Sequence, residues 1–179
     1  MTGWQTHAST TIYANPWLRL REHEVTKPDG SPGRYGVVEM QHPSVFVVAV
    51  TDADEVVLVD LFRYTTQTMS TEVPAGGTDG EDPLSAAQRE LREEAGLEAD
   101  DWTELTRMFA LNGVCDAPEV VFLARGLREV EGAAHEEEGI TGVRRVPWAE
   151  TMRMVRDREI DDSESLAALL CAAVALGKL

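Results

Sequence analysis

The stretch that most constrains the fold of this chain spans residues 72–97 and reads EVPAGGTDGEDPLSAAQRELREEAGL. Asp82 is a typical N-cap, Pro83 suits the first helical position, and Gly96 suits a left-handed C-cap. These residues predict a short strand, a glycine-rich loop and a helix between Asp82 and Gly96. Apolar residues at helical spacing predict that one side of this helix is buried: Leu84, Ala87, Leu91 and Ala95.

Another side of the same helix is acidic, because residues three and four apart are neighbours: Glu90, Glu93 and Glu94. Like charges this close repel each other unless something offsets them. A solvated acidic face is the usual interpretation of a Glu-rich helix. Here the preceding residues 75–77, Ala-Gly-Gly, allow a ligand to approach the backbone closely. Since carboxylates are ligands that magnesium prefers, the combination favours a metal-and-phosphate site.

These residues resemble the Nudix box, G-x5-E-x7-R-E-U-x-E-E-x-G-U, where U is a bulky apolar residue. The match is complete from Glu81 to Leu97, including the seven-residue spacer before Arg89. The glycine departs from the pattern, because Gly76 stands one residue too close to Glu81 and Ala75 occupies the specified position. We interpret this departure as a loop shortened by one residue, with the metal-binding half intact.

The layout of the whole chain is similar to that of the ADP-ribose pyrophosphatase subfamily of Nudix proteins. The resemblance implies an α/β class and a Nudix fold, an α/β/α sandwich with a mixed β-sheet and an N-terminal β-hairpin extension. The segments 44–51 and 55–64 are apolar on both faces, which predicts strands in a sheet covered on both sides. Two helices are predicted at 148–158 and 162–177, the second with a buried stripe of four residues: Leu166, Leu169, Leu170 and Val174.

Residues 17–25 and 34–40 flank the turn sequence KPDGSPG and predict a hairpin. We therefore divide the chain into an N-terminal hairpin region, 1–42, and a Nudix domain, 43–179. In the resembling subfamily the N-terminal region helps to form a dimer, so the resemblance implies a homodimer. A plain edge hairpin is the alternative.

The spacing assigns metal-binding and supporting roles around the box. Glu90 and Glu94, four residues apart, can hold one ion, with the Ala75 carbonyl as a third ligand. Glu93 is placed to hold a second ion or to anchor the first through water. Arg89 can reach Glu93 and is predicted to orient and neutralise carboxylates. Glycines of the loop are predicted to admit the substrate closely: Gly76 and Gly77.

Further site residues follow from the resemblance alone. Arg63, at the end of a strand before the box, matches a substrate-binding arginine. Glu72 matches a glutamate that binds substrate or orients the loop. A catalytic glutamate is implied in the loop before the last strand, within the run Glu136–Glu138. Counting back from that strand favours Glu137 or Glu138 as the general base, with a preference for Glu137.

The net charge limits the classes of partner, and the cysteine content indicates the cellular location. A net charge of −16 argues against nucleic acid or an anionic membrane surface as a partner. An acidic protein acting on an anionic substrate needs local cations, which favours Mg²⁺, with Mn²⁺ as a substitute. Only Cys115 and Cys171 are present, without a disulfide framework or a signal-peptide pattern, so a cytoplasmic location is expected.

The resemblance implies metal-dependent hydrolysis of a small-molecule nucleoside diphosphate sugar, with ADP-ribose as the leading substrate and AMP and ribose 5-phosphate as products. Asn112 departs from the proline usual in ADP-ribose pyrophosphatases. This departure weakens the ADP-ribose assignment, and two alternatives stay open. One is a pyrophosphatase for another nucleotide sugar such as GDP-mannose, and the other is a non-catalytic Nudix-fold protein that binds a nucleotide sugar.

Overall fold

The strands and helices of the chain are taken from a computed structural model that describes residues 3–131 and 139–179. The strands are β1 Gln5–Ala14, β2 Leu18–Thr26, β3 Pro32–Met40, β4 Ser44–Ala49, β5 Glu55–Arg63, β6 Thr68–Glu72, β7 Ala75–Gly77, β8 Leu97–Phe109, β9 Cys115–Asp116, β10 Pro118–Glu129 and β11 Ile140–Pro147. The helices are α1 Pro83–Ala95, α2 Trp148–Arg156 and α3 Ser163–Ala175.

The chain divides into two compact units. The first contains the chain up to Pro43 together with Met108–Glu119, and the second contains Ser44–Arg107 and the chain from Val120 onward. The predicted boundary after residue 42 lies close to the first division, but the sequence did not indicate that Met108–Glu119 joins the N-terminal unit. The reason is a short parallel pairing, in which Val38 of β3 is opposite Cys115 of β9.

The first unit is a sheet in the order β1-β2-β3-β9. The predicted hairpin is present as β2 and β3, which pair antiparallel from Leu18–Met40 to Thr26–Pro32. Strand β1 was not predicted; it pairs antiparallel with β2, and the register of this ladder shifts at two positions. All ten residues of β1 are exposed, so no burial pattern marks this strand in the sequence.

The second unit holds a sheet in the order β7-β4-β10-β8 and another in the order β11-β5-β6. Val45 and Val47 of β4 join a core cluster that also contains Ala87 and Leu91 of α1. Successive strand residues point to opposite faces, and Val48 on the other face is fully buried as well. Since α3 packs against the same strand, β4 is covered on both sides, as its continuous apolar sequence predicted.

Two predicted helix faces need correction. Leu84 is 36% exposed, because helical side chains lean toward the N-terminus and a first-turn residue extends past the core. In α3 the buried face consists mainly of small residues: Ser165, Ala168, Leu169, Ala172 and Ala173. Of the predicted stripe, Leu169 is buried as expected, whereas Leu170 and Val174 are exposed, so the stripe was wrong at these two positions. Close packing against the sheet selects the narrow, small-residue side of α3, which a search for large apolar residues overlooks.

No helix in the described parts of the chain has both the length and the apolar character needed to cross a membrane.

Candidate active site

Helix α1 begins and ends where its capping residues predict. The Asp82 carboxylate accepts hydrogen bonds from the backbone N–H groups of Leu84, at 3.1 Å, and Ser85, at 3.4 Å. Pro83 occupies the first turn, and Gly96 adopts the left-handed conformation with φ 65°. The Gly96 N–H donates to the Arg92 carbonyl at 3.0 Å. Both ends of the helix that carries the glutamates are therefore satisfied by local bonds.

Two glutamates of α1 lie against the short strand β7. The carboxylates of Glu90 and Glu94 belong to residues that are only 5% exposed. Glu94 Oε2 accepts the Ala75 N–H at 2.8 Å. A Cβ added to Gly76 would stand 2.1 Å from Glu90 Oε1, far inside van der Waals contact. Only a glycine at this position leaves space for the Glu90 carboxylate, which gives Gly76 a steric role.

The shortened loop closes as a tight turn between β7 and α1. The Glu81 N–H donates to the Thr78 carbonyl at 2.8 Å. The two residues between them, Asp79 and Gly80, have φ angles of +50° and +90°. Positive φ at both central positions is the type I′ geometry that Asp-Gly sequences favour. One residue fewer than the Nudix pattern is thus accommodated without disturbing the helix cap at Asp82.

Arg89 connects the loop to three glutamates. Its Nη1 donates to Glu90 at 2.7 Å and to Glu93 at 3.0 Å, while Nε donates to Glu81 at 3.3 Å. Its Nη2 donates to the Gly77 carbonyl at 2.8 Å. Burial alone would lower the pKa of Arg89, but the hydrogen bond to Glu93 and the charge of Glu90 raise it above its ordinary value. These contacts agree with the predicted orienting role of Arg89 and leave the Gly77 carbonyl engaged with protein.

A second ion pair lies at the ends of β5 and β6. Arg63 binds Glu72 with both ends of its guanidinium fork, and the Nε–Oε1 distance is 2.8 Å. The hydrogen bond to Glu72 raises the pKa of Arg63, against the effect of burial, and the charges of Asp162 and Glu94 add to the increase. Glu72 is 2% exposed, whereas nearly half of the Arg63 side chain is exposed. Of the two roles that the resemblance implied for Glu72, this burial favours orientation of the loop.

A divalent cation at this site would take oxygen donors from Glu90, Glu94 and Ala75. In residues 3–131 and 139–179, no three acidic, histidine or cysteine side chains gather as a metal-binding group. The predicted metal-binding set has only two such side chains, Glu90 and Glu94, with the Ala75 carbonyl as the third donor. It therefore stays a prediction. Two observations agree with it: Glu90 and Glu94 are buried side by side against the same strand, and their oxygens are the hard ligands that Mg²⁺ takes.

The predicted general base is not among the residues that the structure describes. Glu136, Glu137 and Glu138 fall between residues 131 and 139, so the choice among them stays a prediction from the resemblance. A different residue was missed by the sequence analysis. The hydroxyl of Ser165 in α3 accepts the Val73 N–H at 3.1 Å, two residues before Ala75. Its only sequence signal is a polar side chain among the alanines of that helix.

Two family profiles and several known proteins match this chain. The NUDIX domain profile matches residues 40–169, and the profile of the nucleoside diphosphate sugar hydrolase N-terminal domain matches residues 4–38. The chain is 37% identical over 169 residues to an ADP-ribose pyrophosphatase from Mycobacterium tuberculosis, covering 93% of this chain and 81% of that protein. It is 31% identical over 168 residues to an ADP-ribose pyrophosphatase from Bacillus subtilis, covering 92% and 90% respectively.

A solved structure supports the fold. The crystal structure of an ADP compounds hydrolase superposes with a TM-score of 0.87 and 21% sequence identity, covering 98% of this chain and 95% of that one. At this identity the likeness concerns the fold alone, and it confirms the predicted α/β architecture. The profile match extends over well more than half of the chain and includes the whole box, so this chain belongs to the Nudix family of hydrolases.

Proposed function

We propose that this chain is an ADP-ribose pyrophosphatase that hydrolyses ADP-ribose to AMP and ribose 5-phosphate with Mg²⁺. The observation that carries the proposal is the pair of buried carboxylates, Glu90 and Glu94, held against the glycine strand Ala75–Gly77. Two relatives that align over more than 90% of this chain are named ADP-ribose pyrophosphatases, which supports this substrate above other nucleotide sugars.

The chain's own groups have separate tasks in this proposal. Glu90, Glu94 and the Ala75 carbonyl would hold the ion. The chemistry that a divalent ion supplies in such a site is neutralisation of diphosphate oxygens and a lower pKa for the attacking water. Arg89 keeps the carboxylates in place through Glu90 and Glu93 and ties them to the loop carbonyl of Gly77. The Glu93 side chain is one-third exposed, and it can hold a second ion or anchor the first ion through water.

Arg63 is the proposed substrate-binding cation. Its exposed half can face a phosphate while the buried Glu72 holds the other side of the guanidinium. A planar fork fixed in this way loses little conformational freedom on binding an anion. Glu137 or Glu138 is the proposed general base that takes a proton from the attacking water. For this role its carboxylate must come within about 3 Å of that water or act through one further water.

The exposed N-terminal strand supports a homodimer. β1 is the edge of its sheet and is exposed along its whole length. Large apolar side chains lie at or beside it, and they are all more than 40% exposed: Trp4, Ile12, Tyr13 and Trp17. A long exposed edge with such side chains is a typical surface for pairing with another chain. We propose that a second copy of this chain covers it.

Two free cysteines, Cys115 and Cys171, support the proposed cytoplasmic location.

Product analysis tests the function directly. The purified protein is incubated with ADP-ribose, ADP-glucose or GDP-mannose, each with Mg²⁺, with Mn²⁺ or with a chelator, and the products are identified by mass spectrometry. AMP and ribose 5-phosphate formed fastest from ADP-ribose, and only with metal, is the expected result. Faster release of GMP from GDP-mannose would replace the substrate assignment. Tight binding of a nucleotide sugar without any cleavage would replace the enzyme by a binding protein.

A further inference from the structure

The segment from Glu72 to Ala75 joins the two halves of the proposed site. It links the glutamate that holds Arg63 to the residue whose carbonyl is the proposed metal ligand. Two hydrogen bonds to its backbone hold it further: the Val47 N–H donates to the Pro74 carbonyl at 2.8 Å, and the Ala75 N–H donates to the Glu94 carboxylate at 2.8 Å. A small shift of this segment would therefore displace groups at both ends of the site, Arg63 at one end and Glu94 at the other.

A third contact comes from α3, which lies far away in sequence. Ser165 is fully buried and its Oγ accepts the Val73 N–H at 3.1 Å. The position of Ser165 is set by the helix cap, because its own N–H donates to the Asp162 carboxylate at 2.7 Å. Val73 is only 1% exposed, so its N–H cannot turn to water for a replacement acceptor.

We propose that Ser165 is a positioning residue of the metal site, which sets the Ala75 carbonyl and the Glu94 carboxylate through the Val73 N–H. The inference rests on the metal site of the proposed function and adds to it a residue outside the Nudix box. Removing the hydroxyl leaves a buried N–H without its acceptor, and the segment must shift to recover a bond. Loss of a group that hydrogen-bonds directly to a metal ligand typically changes metal affinity about 10- to 100-fold, and Ser165 acts one step further away, so we expect an effect near the lower end.

The test compares two serines of the same helical turn. Ser165→Ala removes the hydroxyl that binds the segment. Ser163→Ala is the matched control, because it removes an exposed hydroxyl that donates to the neighbouring Glu164 at 2.7 Å and has no described contact with the segment from Glu72 to Ala75. Ser165→Cys keeps a side chain of similar size but offers a weak acceptor, which separates the hydrogen bond from the filled volume.

Mn²⁺ binding to the free enzyme, followed by electron paramagnetic resonance without substrate, is the main measurement. We expect about tenfold weaker Mn²⁺ binding for Ser165→Ala, an intermediate value for Ser165→Cys and the wild-type value for Ser163→Ala. Hydrogen exchange of the Val73 amide, measured by NMR, should become faster in Ser165→Ala alone. In steady-state assays kcat at saturating metal should fall less than the apparent affinity for Mg²⁺.

The outcomes separate this inference from the proposed function. A folded Ser165→Ala protein that binds Mn²⁺ as tightly as wild type overturns the inference and leaves the function standing. Weaker Mn²⁺ binding by this variant supports the inference even if the wild type cleaves a different nucleotide sugar. A wild-type protein that binds no Mn²⁺ overturns both.

Discussion

Two arginines in this molecule each contact three carboxylates, and only one of them belongs to the proposed active site. Arg89 in α1 contacts Glu81, Glu90 and Glu93 at 2.7–3.3 Å. Arg153 in α2 contacts Glu150, Asp157 and Glu159 at 2.6–2.8 Å. In both clusters the carboxylates raise the pKa of the arginine above its ordinary value.

The two clusters differ in the burial of their carboxylates and in their contacts with the backbone. Glu90 is buried against Gly76, and Arg89 also binds the backbone of the loop at Gly77. None of the three carboxylates that contact Arg153 is buried, and no loop carbonyl joins that cluster among the described contacts. Charge pattern alone is therefore a poor guide to a site, whereas burial of carboxylates against a glycine strand is informative. Four predictions test this comparison.

Glu94→Gln should have the largest effect, because it removes a charge from the proposed metal ligand while its amide oxygen can still accept the Ala75 N–H. We expect turnover of ADP-ribose to fall more than about a hundredfold, with nearly unchanged stability. Steady-state kinetics and thermal unfolding measure the two effects. Glu150→Gln makes the same change in the Arg153 cluster and should keep wild-type turnover. Full activity of Glu94→Gln would refute the metal assignment.

Gly76→Ala should damage the site while sparing the fold. The new methyl group would collide with the Glu90 carboxylate, which is the far end of a flexible side chain and can move away. Turnover and Mn²⁺ affinity should both fall, by about tenfold or more, since Glu90 no longer lies on the strand. Gly36→Ala is the control, because the added methyl group meets no described atom within 4 Å apart from Gly36 and its two chain neighbours. Equal activity of both variants would contradict the close packing of Glu90 on Gly76.

Arg89→Ala and Arg153→Ala sharpen the comparison in terms of stability. Loss of Arg89 removes a donor from the buried Glu90 and should lower the free energy of unfolding by about 1 kcal/mol or more. Loss of Arg153 removes exposed ion pairs, so its effect on the urea midpoint should be smaller. Urea unfolding of both variants at neutral pH gives the ranking. The reverse order would mean that burial does not distinguish the two clusters.

The smallest expected effect is the contribution of the exposed Arg153 cluster to the pH dependence of stability. Hydrogen bonds from Arg156 and Arg153 lower the pKa of Asp157 from 3.8 to about 2. A carboxyl with a lowered pKa in the folded state stabilises the protein above its unfolded pKa, and this contribution is lost as the pH falls from about 4 to 2. The urea midpoint should therefore drop across this interval, and less steeply in Asp157→Asn. An identical slope in both proteins would contradict the contribution of Asp157.

Much of the site could be predicted because its signals are local. The caps Asp82 and Gly96, the spacing of Glu90 and Glu94, and the i, i+4 contact from Arg89 to Glu93 all depend on helix geometry within a few residues. The buried strands β4 and β5 were equally predictable, since an apolar run leaves few other positions for them. Leu84 was predicted wrongly because the end of the core is not marked in the sequence.

The contacts that join distant segments could not be predicted. Whether Gly76 or Ala75 packs under Glu90 depends on the path of a shortened loop, which the Asp79-Gly80 turn determines. The hydroxyl of Ser165 and the N–H of Val73 are separated by 92 positions, and no local pattern pairs them. Likewise, the burial of Glu72 behind Arg63 depends on the pairing of β5 with β6.

By itself the sequence determined the helix that carries the glutamates, the carboxylate chemistry of its acidic side and the family to which the chain belongs. Those properties follow from backbone periodicity and side-chain type, which act over a few residues. Only the tertiary structure decided which carboxylates are buried, which glycine makes space for them and which serine holds the loop. These properties depend on packing between segments far apart in the chain, which no pattern within a few residues encodes.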